Sequence, residues 1–197
     1  MLVDLLRHGA TGREGHLDGR TDRVLAAEGW TQFSSQTEHQ SWPTIVTSPL
    51  LRAREAAERL ARSRNLALMI DDDWAELDFG VWDGRLKSEL EAEPAMRAAL
   101  AAFYRDPRAN PPPGGESWAS FDARIARALS RLVDPASPGP VLVVTHAGPM
   151  RAALHQACGL PIDCLWALRI GFGTRIRLNL AVADARLWGE IVEISQP

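Results

Sequence analysis

Short apolar runs alternate with longer amphipathic segments along the chain. Strands are predicted for the short runs at residues 3–6, 44–47, 66–70 and 141–144. Helical spacing of apolar positions predicts helices at residues 24–39, 50–62, 86–103, 118–132 and 149–158. Alternation over residues 165–194 predicts two or three further strands. Strands that alternate with helices pair in parallel and carry helices on both faces. We therefore predict a single α/β domain over residues 1–197, a three-layer α/β/α sandwich with a mostly parallel central sheet.

Turn-forming residues mark the boundaries of these elements. Ser48 is a good N-cap and Pro49 suits the first helical position, so a helix is predicted to begin there. Residues 71–84 predict a loop. Residues 106–115 contain four prolines and cannot form the interior of a regular element. This segment is either a surface connection between helices or a lid over an active site.

Composition narrows the classes of function. The 22 basic and 25 acidic residues give a net charge of −3, which argues against a general basic surface for nucleic acid. The two cysteines lack the partners that a zinc site needs. No apolar run approaches the ~18 residues of a membrane span, and the N-terminus lacks the pattern of a signal peptide. We expect a cytoplasmic protein that binds neither nucleic acid nor membrane.

Cationic side chains follow three of the predicted strands. The strand ends carry Arg7 with His8, Ser48 with Arg52, and Thr145 with His146. The carboxyl ends of parallel strands meet at one edge of a sheet, where ligands bind. Guanidinium groups match phosphate oxygens, and helix N-termini add N–H donors. The sequence therefore predicts an anion site, most simply one for a phosphate group.

A neutral histidine in such a site can accept a transferred phosphoryl group. The reaction then needs a proton donor for the leaving oxygen, and the segment at residues 71–83 offers Asp71, Asp72, Asp73, Glu76, Asp78 and Asp83. Periodicity does not choose among them. We assign no function to His16, His39 and His155, and we interpret Trp74, Trp82 and Trp118 as packing residues.

Five blocks of sequence resemble the histidine phosphatase superfamily, in its phosphoglycerate-mutase-like branch. In family order they are LRHGAT at residues 6–11, SPLLRA at 48–53, ELDFGVWDG at 76–84, PGGES at 113–117 and VTHAG at 144–148. Together they span most of the chain. The resemblance implies the phosphoglycerate-mutase-like fold, with residues of about 71–117 forming part of the cap over the site.

The resemblance also implies a role for each matching residue. His8 would be the nucleophile that becomes phosphohistidine, and Glu76 the proton donor. Arg7, Arg52 and His146 would hold the phosphoryl group, with Thr11 and the backbone of Ala147 as further contacts. No metal and no cofactor are implied. Many family members have an asparagine in the stretch that corresponds to residues 12–16, and this chain has none there.

Within the superfamily, the short glycine-rich first loop and the blocks at residues 28–30, 79–84 and 112–116 are most similar to α-ribazole phosphatases, which act in cobalamin nucleotide-loop assembly. We therefore expect a small phosphate ester, α-ribazole 5′-phosphate or a cobamide phosphate, as substrate. The alternatives are a broad-specificity phosphatase, a phosphoglycerate mutase and a non-catalytic phospholigand-binding protein. An apolar strand in the tail could pair two copies as a homodimer.

Overall fold

The computed structural model describes residues 1–134, 139–184 and 186–197. The described residues contain one sheet of six strands: β1 Leu2–Arg7, β2 Thr44–Thr47, β3 Ala67–Ile70, β4 Val141–Thr145, β5 Arg175–Ala183 and β6 Arg186–Ser195. Their spatial order is β3-β2-β4-β1-β5-β6. The first four are parallel to one another, whereas β5 and β6 are antiparallel to their neighbours. The prediction of a mostly parallel α/β sheet is therefore confirmed.

Helices cover both faces of the sheet. They are α1 Ala27–Thr37, α2 Leu51–Arg64, α3 Lys87–Ala92, α4 Pro94–Arg105, α5 Trp118–Leu132 and α6 Ala147–Cys158. Successive side chains of a strand point to opposite faces, and β4 shows the consequence. Val141 and Val143 pack with residues of α4, α5 and α6, whereas Leu142 and Val144 pack with residues of α1 and α2. The three layers follow from this alternation in a strand that is buried throughout.

Several predicted helix boundaries were wrong. Helix α1, predicted over residues 24–39, spans only Ala27–Thr37. The single helix predicted for residues 86–103 is two helices, α3 and α4, because Pro94 cannot continue a helix and instead occupies the first position of α4. Helix α2 is capped at Leu50 rather than Ser48, and the Ser48 hydroxyl accepts a hydrogen bond from the Leu50 N–H at 3.2 Å. Helix α6 begins at Ala147, two residues before Pro149.

The segment between β3 and α3 is ordered rather than a featureless loop. It contains short 3₁₀ helices at Asp72–Trp74 and Gly80–Trp82. The proline-rich segment after α4 contacts it, since the Val81 N–H donates to the Pro113 carbonyl at 3.0 Å and the Glu116 N–H donates to Asp78 at 3.0 Å. These bonds attach residues 78–81 to the stretch of chain that leads into α5.

Strand β6 forms one edge of the sheet and exposes large apolar side chains, among them Trp188, Ile191, Val192 and Ile194. Homodimerisation through such a strand stays a prediction. Within the described parts of the chain, no helix combines the length and the apolar character needed to cross a bilayer.

Candidate active site

The site lies where β1, β2 and β4 end. Arg7 is the parallel partner of Thr145, and the His8 N–H donates to the Thr145 carbonyl at 2.9 Å. The Ser48 N–H similarly donates to the Val144 carbonyl at 2.9 Å. Ladder bonds between parallel strands thus bring together residues that lie far apart in sequence. Helix α6 begins at the same edge, so its N-terminal N–H groups also face this region.

The ring of His8 is held in one tautomer. Its Nδ1 lies 2.8 Å from the Gly9 carbonyl oxygen. A carbonyl oxygen only accepts hydrogen bonds, so Nδ1 carries the proton and Nε2 of the neutral ring keeps its lone pair. The His8 and His146 rings lie edge to face, with their centroids 5.0 Å apart. His8 therefore presents a nucleophilic nitrogen beside a second imidazole.

Both histidines are buried and stay neutral. Burial is the main cause that holds the pKa of His8 well below its ordinary value of 6.5, and the charges of Arg52 and Arg7 lower it further. Burial likewise holds the pKa of His146 well below 6.5, with Arg52 as the next cause. A neutral imidazole is the form that can attack phosphorus.

Two buried guanidinium groups supply positive charge. Arg7 donates from Nη1 to the Ile170 carbonyl at 2.8 Å, and its Cζ lies 4.0 Å from the centroid of the Phe172 ring. Burial lowers the pKa of Arg7 to about 10, so it remains charged at neutral pH. Arg52 is 1 % exposed and donates from Nη2 to the Asp18 carbonyl at 2.8 Å. Their hydrogen bonds go to backbone carbonyls, and the ion pair of Arg52 with Asp22 is long at 3.8 Å, so both groups keep positive charge for an anion.

His146 is positioned by Ser48. The Nε2 of His146 lies 2.7 Å from the Ser48 hydroxyl, and Nδ1 of the ring has no partner among the described residues. Ser48, predicted to be a helix cap, thus also contacts an imidazole of the site.

Of the six carboxylates that the sequence left open, Glu76 alone lines the cavity at this edge. It is 8 % exposed, and its carboxylate accepts hydrogen bonds from the N–H groups of Leu77 at 2.8 Å and Gly148 at 3.2 Å. Three of the others have different partners. The Asp71 and Asp73 side chains accept from Arg131 on α5, and Asp83 accepts from backbone N–H groups at residues 19–21.

The cavity has a volume of about 300 Å³. Its wall brings together all the predicted site residues except His146: Arg7, His8, Thr11, Arg52, Glu76 and Ala147. Where the family asparagine is missing, Arg13 and His16 complete the wall. His16 is thus a wall residue to which the sequence assigns no role. Trp118, interpreted as a packing residue, is buried but also lines the cavity. Arg151, one turn into α6, lines it as well, and no sequence block had pointed to it.

Much of the remaining wall is aromatic, with rings from Phe79, Phe103, Tyr104, Trp118, Phe121, Trp166 and Phe172. Asp18 also lines the cavity. Several of these rings pack on one another, as Tyr104 does on Trp166 with centroids 4.8 Å apart. The cavity therefore combines cationic groups with aromatic rings, and some of them are in contact, as Arg7 is with Phe172 and Arg151 with Trp166. In the described parts of the chain, no group of three or more His, Cys, Asp or Glu residues could hold a metal ion.

The family model of the histidine phosphatase superfamily (branch 1) matches residues 3–187. This chain belongs to that superfamily. It is 28% identical over 196 residues to an adenosylcobalamin/alpha-ribazole phosphatase of Escherichia coli and covers 95% of each chain. It is 32% identical over 187 residues to the bifunctional protein Rv2228c of Mycobacterium tuberculosis. That match includes 91% of this chain but only 48% of the mycobacterial relative, so the chain spans about half of that relative's length.

Solved structures of two phosphatases have the same fold. A mycobacterial glucosyl-3-phosphoglycerate phosphatase in complex with VO3 superposes with a TM-score of 0.84 at 26% identity, over 98% of this chain and 97% of the other. A putative alpha-ribazole-5′-P phosphatase of Escherichia coli superposes with a TM-score of 0.80 at 25% identity, over 97% and 95%. The chain therefore has the fold of these phosphatases and belongs to the histidine phosphatase superfamily, and its relatives include phosphatases named for different substrates.

Proposed function

We propose that this chain is a phosphomonoesterase that works through a phosphohistidine on His8. The observation that carries the proposal is the hydrogen bond from Nδ1 to the Gly9 carbonyl, because it leaves Nε2 of a neutral ring as the nucleophile. His8 shares its cavity with the guanidinium groups of Arg7 and Arg52 and with the carboxyl group of Glu76. These are the groups that phosphoryl transfer to a histidine requires. Arg13, Arg151 and Asp18 line the same cavity.

In the first step, Nε2 of His8 attacks phosphorus in line with the leaving oxygen. The P–N bond forms as the bond between phosphorus and the leaving oxygen breaks. Arg7, Arg52 and His146 stabilise the charge on the remaining phosphoryl oxygens, with Thr11 and the Ala147 backbone as additional contacts. The carboxyl group of Glu76 donates its proton to the leaving oxygen, so that an alcohol departs.

In the second step, water attacks the phosphohistidine. The carboxylate of Glu76 takes a proton from the water as the new bond between oxygen and phosphorus forms and the P–N bond breaks. Inorganic phosphate leaves, and His8 returns to its neutral form. Glu76 serves both steps, first as acid and then as base, and ends each cycle protonated.

The proposed substrate is α-ribazole 5′-phosphate or a cobamide phosphate. Seven aromatic rings line the cavity, and residues of the predicted cap, such as Phe79, Phe103 and Tyr104, supply part of that lining. Aromatic walls bind flat apolar groups such as a nucleoside base better than a small sugar acid. The full-length relative named for alpha-ribazole supports the same choice. One relative is named a probable phosphoglycerate mutase. The aromatic lining of the cavity argues against that activity for this chain.

Phosphate release in buffer that contains EDTA tests the substrate. We expect kcat/KM for α-ribazole 5′-phosphate to exceed that for glucosyl-3-phosphoglycerate by about 100-fold, or about 2.7 kcal/mol. Similar values would instead indicate a broad-specificity phosphatase. Conversion of 3-phosphoglycerate to 2-phosphoglycerate without free phosphate would indicate a mutase. Tight binding of these esters without turnover would indicate a non-catalytic binding protein.

A further inference from the structure

Arg124 of α5 donates hydrogen bonds to the segment that carries Glu76. This side chain is buried, 7 % exposed. Its Nη1 donates to the carbonyls of Asp73 at 2.7 Å and Ala75 at 2.6 Å, and its Nη2 donates to the carbonyl of Glu76 itself at 3.0 Å. One guanidinium group thus binds three carbonyls within four consecutive residues.

The remaining carbonyl of this segment is bound as well. The Thr145 hydroxyl, at the end of β4, donates to the Trp74 carbonyl at 2.7 Å. Every carbonyl from Asp73 to Glu76 therefore has a side-chain donor. A segment that belongs to no α-helix or strand must satisfy its buried carbonyls in this way or pay for their desolvation. The Glu76 backbone is consequently held from two directions, by α5 and by the strand that leads to His146.

Glu116 holds Arg124 in turn. Its two carboxylate oxygens accept from Nε at 2.8 Å and Nη2 at 2.9 Å, in a bidentate pair. Bidentate geometry fixes the plane of the guanidinium group, which a single contact would not do. The pair also neutralises a buried positive charge that lies close enough to His146 to lower its pKa. Glu116 therefore orients Arg124 and screens its charge from the site.

We infer that Arg124, oriented by Glu116, is a positioning residue that places the Glu76 carboxyl against the Gly148 N–H for proton transfer. The inference rests on the proposed function, in which Glu76 protonates the leaving oxygen. The carboxyl of Glu76 lies one side chain away from the backbone that Arg124 binds, so a shift of that backbone moves the acid. Misplacing a catalytic group by about 1 Å can cost about 100-fold in rate.

Leaving-group dependence separates this role from a merely structural one. A p-nitrophenolate leaves readily without a proton, whereas a benzyl alkoxide needs one. Phosphate esters of these two alcohols have rings of similar size, so binding to the aromatic wall changes little between them. Loss of proton donation should lower kcat/KM for benzyl phosphate far more than for p-nitrophenyl phosphate. A general loss of folded protein should lower both equally.

The experiment measures kcat/KM for both esters in Arg124→Gln, Arg124→Lys, Glu116→Gln and Glu76→Gln. On benzyl phosphate, we expect kcat/KM to fall by about 100-fold in Glu76→Gln and by at least about tenfold in Arg124→Gln. On p-nitrophenyl phosphate, each variant should lose less than about threefold. Arg124→Lys should lose less kcat/KM on benzyl phosphate than Arg124→Gln, because the ammonium group keeps the charge. It should still lose some, because an ammonium group cannot reach all three carbonyls. Glu116→Gln, which keeps the shape of the side chain, should show the same selective loss in weaker form.

Two controls keep the outcomes distinct. Ile125→Val shortens a buried neighbour on the same helix and should lower Tm without changing the ratio of the two kcat/KM values. Arg97→Gln removes an exposed arginine of α4 and should change neither Tm nor the ratio of the two kcat/KM values. Equal losses on both esters in Glu76→Gln would overturn the proposed acid and this inference with it. A selective loss in Glu76→Gln together with equal losses in the Arg124 and Glu116 variants would overturn this inference alone.

Discussion

The neutral state of His8 and His146 is the residue-scale property on which the account depends. Both rings are buried beside two arginines, so the charged form of each ring is disfavoured by desolvation and by repulsion. The same neutrality has a cost in acid. Unfolded chains bind a proton at each histidine below the ordinary pKa, and the folded chain does not, so protons favour unfolding.

The sign and size of this effect can be measured. Above a pH of about 6.5, neither state protonates His146, and the residue adds no pH dependence. Below that pH, only the unfolded state does, and the free energy of unfolding falls by up to about 1.4 kcal/mol per pH unit for each such histidine. In urea unfolding, the fall in the free energy of unfolding between pH 7.5 and 5.5 should be smaller in His146→Gln than in the unchanged chain, by about 1.4 kcal/mol in total over the two pH units. An identical fall in both would contradict the assignment.

Sequence motifs could predict the arginines and histidines that follow strands but not the whole wall of the cavity. Arg7, His8, Arg52 and His146 follow strands, so strand ends and family blocks both pointed to them. His16 and Arg151 line the same cavity but stand in a loop and within a helix. Which side of a loop faces a cavity depends on packing with distant segments, which periodicity does not record. Only the resemblance singled out Glu76 among six nearby carboxylates.

At the scale of elements, the close approach of α6 to the Glu76 segment sets the position of the acid. The Gly148 N–H, in the first turn of α6, donates to the Glu76 carboxylate at 3.2 Å. A Cβ added at Gly148 would overlap Glu76 Oε1 and press on its carboxyl carbon. Glycine is thus required here by proximity to the acid.

Gly148→Ala therefore separates stability from catalysis. Alanine favours a helix over glycine by up to about 1 kcal/mol. This gain offsets the cost of displacing the Glu76 side chain, so we expect Tm to change little. The added methyl group displaces the Glu76 carboxyl, so kcat/KM for benzyl phosphate should fall by about 10- to 100-fold. p-Nitrophenyl phosphate, which does not need the acid, should be affected much less. Full activity on benzyl phosphate would show that Glu76 need not lie against this N–H.

Helix and strand existence could be predicted well, and their ends less well. The apolar runs of β1 to β4 were each placed within one residue of the observed bounds. The division of residues 86–103 by Pro94 was not predicted, because the apolar spacing continues across the break. The order in the 71–84 segment also escaped prediction, since side chains of α5 and β4 impose it.

At the scale of the molecule, the sheet ends in an exposed edge. Strand β6 is ten residues long, and Trp188 and Val192 are about half exposed, 49 % and 53 %. Long apolar edge strands readily pair with another chain unless they are covered. We expect two copies to associate through this edge, which lies beyond β5 and away from the termini of β2 and β4.

Light scattering after gel filtration tests the association. The chain at micromolar concentration should have the mass of a dimer, and Trp188→Lys combined with Val192→Lys should have the mass of a monomer. The kcat/KM of the double variant should be unchanged, because neither residue lines the cavity. A monomeric mass for the unsubstituted chain at every concentration would contradict the expectation.

The topology of the molecule could be predicted in class but not in detail. Alternation of strands and helices indicated parallel pairing, and β1 to β4 confirm it. The spatial order of the strands depends on how the helices pack across the two faces, and local sequence does not encode that order. The antiparallel pairing of β5 with β6 was likewise not predicted, although strands were expected there.

The most direct test of the account is to trap the covalent intermediate. The protein is mixed with a phosphate ester, quenched in alkali within milliseconds and digested for mass spectrometry. We predict one phosphoryl group on the peptide that contains His8, at a level that rises before steady-state release of phosphate. His8→Ala should lack the adduct and lose at least about 10⁴-fold in kcat/KM. Undiminished turnover by His8→Ala would contradict the central claim.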